Sequence, residues 1–95
     1  MQDWKEIINY LDEHDRVKTW LSKRNRKSQF LVLRYLASKF GINVFYTEKE
    51  VNNLLNQYHT FNDPAMLRRE LFEAKLLNRK RDGSAYWLTN PKVNQ

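Results

Sequence analysis

The residues of this chain best suited to chemistry are cations in three short runs. "SKRNRK" supplies Lys23, Arg24, Arg26 and Lys27, "MLRREL" supplies Arg68 and Arg69, and "NRKRDG" supplies Arg79, Lys80 and Arg81. Lysine and arginine offer positive charge and N–H donors. The chemistry open to them is recognition of phosphates and base edges, or structural pairing with carboxylates. The net charge of +6 over 95 residues is unevenly placed. Residues 1–15 carry −4, 16–39 carry +8 with no acid at all, 40–67 carry −2 and 68–95 carry +4. Two separate cationic segments are the pattern of a polyanion-binding face, and equally of a solvated basic surface.

Other chemistry is poorly provided for. There is no cysteine, which excludes disulfides and thiolate metal sites and suits a reducing compartment. His14 and His59 stand far apart without a ligand-spaced partner, and both read as loop or surface residues. There is no glycine-rich phosphate loop, no His-Glu pair at helical spacing and no convergent Ser/His/Asp set. The expectation is a non-enzyme without metal or cofactor. No apolar run reaches the ~20 residues of a membrane span, and the opening "MQDWKEIINYLDEH" is acidic where a signal peptide is basic. A cytoplasmic protein without membrane association is expected.

The elements that must carry the cations are mostly helical. Trp4, Ile7, Ile8 and Leu11 recur at helical spacing, predicting a helix from Asp3, its N-cap, to about Glu13. A turn at His14-Asp15 and a short extended piece follow. Phe30, Leu33, Leu36, Ala37 and Phe40 make the stripe of a central helix, capped by Asn25 or Ser28, with Gly41 just past its end. "NVFY" is β-prone. In "TEKE", Thr47 as N-cap and Glu50 three residues on form a capping box, and Tyr46 can staple onto Val51, starting a helix that runs to about Gln57. After "HTFN", Asp63 caps and Pro64 takes the first position of a third helix with Leu67, Leu71 and Ala74 inward. Asp82-Gly83 predicts a type I′ hairpin, with Leu77 opposite Leu88 and Arg79 opposite Tyr86. Helix, short strand, helix, helix, hairpin is the order of a winged helix. The predicted fold is α+β and mainly helical: a winged helix-turn-helix with an extra N-terminal helix and a small antiparallel sheet, Val44–Tyr46 being its third strand.

On that frame the third helix is the recognition helix, with Ala65, Arg69 and Phe72 outward and Arg68 and Glu73 on the flanks. Arg68 and Arg69 reach a guanine edge or phosphates, Asn62 holds a phosphate at the helix start, and Lys80 and Arg81 form the wing with Arg79. Lys23, Arg24, Arg26 and Lys27 add backbone contacts. Against this, Arg69 and Glu73 have the spacing of an ordinary surface pair, and an aromatic at Phe72 suits a protein interface as well as a groove. Trp20 and Trp87 are candidates for base stacking or for core. The partner expected is double-stranded DNA. The alternative is a protein-interaction or sensor module, perhaps a homodimer, using Phe72 and Trp4.

The run Tyr46 to Trp87 also resembles a bacterial family, the domain-of-unknown-function family 2087. The family opens with Tyr-Thr/Ser-Glu-x-Glu-Val-Asn, then has an Asp before Leu-Arg-Arg-Glu-Leu, then Leu-Leu-x-Arg and Gly-x-x-Tyr-Trp. This chain carries Tyr46, Thr47, Glu48, Glu50, Val51 and Asn52; Asp63; Leu67, Arg68, Arg69, Glu70 and Leu71; Leu76, Leu77 and Arg79; and Gly83, Tyr86 and Trp87. The basic lead-in is also similar, so the resemblance covers most of the chain after about residue 11. It implies a winged-helix-like domain that occurs alone or fused to transcriptional regulators. One domain is expected, with a lead-in at residues 1–21, a winged-helix core at 22–90 and a tail at 91–95.

Overall fold

Thr47 begins its helix as its neighbours dictate. Its Oγ1 accepts the Glu50 N–H at 3.1 Å, and Glu50 Oε1 accepts the Thr47 N–H at 2.8 Å. The computed structural model describes residues 4–89, except for the side chain of Lys23. Its three α-helices are α1 (Arg26–Ala37), α2 (Glu48–Asn56) and α3 (Pro64–Glu73), followed by the hairpin strands β1 (Leu77–Arg79) and β2 (Tyr86–Leu88). A short 3-10 helix, Lys23–Asn25, leads into α1. The fold is α+β and mainly helical, in the element order expected. Asp63 and Pro64 begin α3 as read from the sequence, with Asp63 Oδ1 accepting the Met66 N–H at 3.2 Å. One core is shared by Val32, Leu33 and Leu36 of α1, Val51 and Leu55 of α2, Leu67 and Leu71 of α3, and Leu77 and Tyr86 of the hairpin. Ile7, Val17 and Leu21 of the lead-in belong to the same core.

The N-terminal helix departs from expectation. It is a 3-10 helix over Lys5–Tyr10, and the Asp3 cap lies outside the described residues. Three residues per turn align Trp4, Ile7 and Tyr10 and turn Ile8 out into solvent, where an α-helical stripe would have kept it inside. Trp4 packs edge-on against Tyr35 at 5.2 Å. Beyond the helix, the Asp12 carboxylate ties the turn: it accepts the N–H groups of His14 and Arg16 and the Arg16 Nε–H. Burial works against that charge, but these donors outweigh it and hold the Asp12 carboxyl below the ordinary range. Val17 then bonds to both sides of the α2–α3 connection, donating to Tyr58 O at 2.7 Å and accepting from the Thr60 N–H at 3.0 Å.

In α1 the buried stripe includes Val32 and Tyr35, whereas Phe30, expected inside, is exposed. The helix is covered on two sides, by α3 and by the N-terminal segment, so its buried arc is rotated toward Trp4. The Tyr35 hydroxyl donates to Asp15 O at 2.5 Å. Burial first, then the nearby Asp15 charge, pushes its pKa up.

The hairpin has the expected register, Leu77 opposite Leu88 and Arg79 opposite Tyr86. Its turn is different. The Gly83 N–H donates to Lys80 O, and within the turn only Gly83 takes a positive φ, +77°, so this is not a type I′ turn. Asp82 Oδ1 accepts the Ser84 N–H two residues on, an Asx turn. The third strand shrinks to one residue: Tyr46 exchanges both backbone hydrogen bonds with Tyr86, each 2.8 Å, and the chain before it diverges.

Candidate nucleic-acid interface

Leu67 and Leu71 are fully buried, which fixes the rotation of α3 and sends Arg69 and Phe72 outward, with Ala65 half-buried. Arg69 is exposed and, among the described residues, has no ion pair; the expected partner Glu73 does not engage it. The Arg79 guanidinium lies 4.8 Å above the Phe72 ring and donates to Arg81 O at 3.3 Å. Arg69, Phe72 and Arg79 therefore form one band, continued by the exposed Lys80 and Arg81 at the hairpin turn. Phe72 is only 36% exposed, with a cation over its face.

Arg68 does a different job from its neighbour. Its Nη1 donates to Asn52 Oδ1 on α2, its Nη2 lies 3.8 Å from Glu48 Oε1, and its side chain is 18% exposed. Glu48 also accepts from the Tyr86 hydroxyl at 3.5 Å. Arg68 thus joins α2, α3 and β2 and is withdrawn from the outward set. Asn52 was overlooked as a functional position by reading residue types alone; its spacing one helical turn after Glu48 was the available signal.

His59, read as a loop or surface residue, is buried. Its Nδ1 bonds Leu55 O at 2.7 Å and its Nε2 accepts the Asp63 N–H at 2.9 Å. Since a backbone carbonyl can only accept and an N–H can only donate, the ring is the Nδ1–H tautomer. It clamps the turn between α2 and α3. Asn62, exposed at φ +53°, completes that turn. The phosphate site expected there is reduced: Asp63 already takes the Met66 N–H, Pro64 has none, and the Asp63 carboxylate repels an anion.

At the start of α1, Arg24, Arg26 and Lys27 are all exposed; the Lys23 side chain lies outside the described residues. The Asn25 side chain makes no capping bond, and the first turn holds no acid. Cations at the positive end of a helix dipole are unfavourable by a few tenths of a kcal/mol each, and an anion bound there reverses the sign. Arg26 lines a groove of about 670 Å³ with Trp20, Phe30, Glu70 and Glu73, so two acids of α3 share the groove with this cluster. Trp20 and Trp87 are half-buried.

A family model described as "Uncharacterized protein conserved in bacteria (DUF2087)" matches residues 16–88. The chain belongs to the DUF2087 family. The DUF2087 match takes in α1 to α3 and the hairpin, so the Arg68–Asn52 tie and the Arg69 band lie inside it. The 3-10 helix that supplies Ile7 to the core precedes it. No curated protein and no solved structure matches the chain. Among the described residues no group of acids and histidines is arranged to hold a metal, and no helix is long and apolar enough to cross a membrane.

Proposed function

We propose that this DUF2087 protein is a small winged-helix protein that binds double-stranded DNA in transcriptional regulation. The observation that carries the reading is the outward band of unpaired Arg69, Arg79-capped Phe72, Lys80 and Arg81 along α3 and the hairpin. α3 enters the major groove, Arg69 meets a base edge or phosphate, Phe72 packs on sugar or a thymine methyl, and the hairpin lies along the backbone. Arg24, Arg26 and Lys27 at the uncapped start of α1 hold a further stretch of phosphates, and Asn62 contributes at the turn. Arg68 stays with Asn52. Six phosphates, met by Arg69, Lys80, Arg81, Arg24, Arg26 and Lys27, correspond to a log–log salt slope of roughly −5. Fluorescence anisotropy with a random duplex at two ionic strengths measures it. Absence of salt-sensitive binding at tens of micromolar refutes the reading.

A second reading, a protein-interaction module in a regulatory system, is favoured by one observation: large apolar side chains stand exposed between α1 and α2. The surfaces first expected for it fit less well, since Trp4 is packed on Tyr35 and Phe72 is covered by Arg79.

A further inference from the structure

The segment Gly41 to Tyr46 holds apolar side chains outward. Ile42 is 73% exposed, Phe45 69% and Val44 42%, and the Phe45 ring lies edge-on to Trp87 at 5.4 Å. The exposure is built into the fold. The Gly41 N–H donates to Tyr46 Oη at 2.7 Å, the Tyr46 ring is locked edge-on against Phe40, and Asn43 takes a left-handed φ of +61°. A Cβ on Gly41 would stand 2.8 Å from Val44 Cγ2, so this close turn depends on glycine. A backbone turn fixed in this way leaves less of it to be ordered on association.

Beside this loop, the sheet edge is open. Tyr86 points its N–H and C=O at Tyr46, so Leu88, two residues on, points its own in the same direction. No backbone group among the described residues meets them there.

We infer that this patch is a self-association surface, and that its occupant is a second copy of the chain. The charge pattern selects that occupant. The patch is built from two runs, 40–47 and 86–89, neither of which contains a charged residue, in a chain of net charge +6. Two cationic copies repel over most of their surfaces, and an uncharged apolar patch is where they can meet. A two-fold contact sets the same patch against itself and needs no complementary charge. The patch lies at the end of the sheet away from Lys80 and Arg81, so pairing leaves the cationic band free. Three or four side chains bury less than the ~800 Å² per partner of a stable interface, so the association is a weak, concentration-dependent one.

Sedimentation velocity without DNA, from about 5 to 500 µM, tests this independently of the nucleic-acid reading. Wild type is expected to shift from monomer to dimer across that range. Phe45→Asp stays monomeric and folded, losing within the protomer only the edge contact with Trp87, because Phe45 is outside the core, and Phe72→Ala dimerises like wild type. A wild type monomeric to the top of the range overturns the inference, as does a dimer that Phe45→Asp leaves intact. A monomer that binds a hydrophobic dye through Phe45 also overturns it and gives the patch to a foreign partner.

Discussion

Arg68 and Arg69 are adjacent in sequence, and their replacement by alanine separates stability from binding. Arg68→Ala removes a charged hydrogen bond to Asn52 and leaves Asn52 Oδ1 without its donor at the α2–α3 junction. A hydrogen bond to a charged group contributes about 1.5–3 kcal/mol. The Glu48 contact adds little, because it spans 3.8 Å to a carboxylate that is 54% exposed. A loss of about 2 kcal/mol lowers the melting temperature of a domain this size by roughly 8–16 °C. Arg69→Ala removes an exposed side chain with no ion pair, so stability changes by less than about 0.5 kcal/mol. Duplex affinity behaves oppositely. Arg69→Ala lowers it and, where the contact is to a phosphate, flattens the salt slope by about 0.9, whereas folded Arg68→Ala keeps the wild-type slope. Thermal melts and anisotropy at two salt concentrations, run below the Arg68→Ala melting temperature, read both effects. A flattened slope in Arg68→Ala with none in Arg69→Ala would refute the assignment of roles.

Two other tests probe the frame behind this face. His59→Ala removes the partner of both Leu55 O and the Asp63 N–H and leaves a cavity, so urea unfolding should show a loss of about 2–4 kcal/mol; a loss under about 0.5 kcal/mol would mean that the turn does not need its clamp. The folded Asp12 carboxyl sits below its ordinary value of 3.8, so its stabilisation is complete above that value and disappears as pH falls through the lower folded value. Asp12→Asn should therefore show a shallower fall in melting temperature on acidification than wild type, and parallel curves would sink the assignment.

Much of the fold was legible because its signals are local. The Thr47/Glu50 box, Asp63 before Pro64 and the pairing of Leu77 with Leu88 each depend on residues close along the chain. Misreadings arose where distant packing decided the outcome. Ile8 was placed inside by α-helical spacing, yet the segment docked on Tyr35 as a 3-10 helix. The type I′ turn is the exception, a local misreading: only Gly83 takes a positive φ, and Asp82 Oδ1 accepts the Ser84 N–H two residues on.

The candidate site divides in the same way. By itself the sequence determined where the cations lie, which helix carries Arg68 and Arg69, and which face of that helix is buried, because helical period and capping follow from neighbours within about four residues. Only the tertiary structure decided that Arg68 turns to Asn52, sixteen residues earlier in the chain, while Arg69 stays free. It also decided that His59 is a buried clamp and that Ile42, Val44 and Phe45 face solvent. One residue along a helix is a rotation of ~100°, and which flank meets a polar partner is set by how two helices dock.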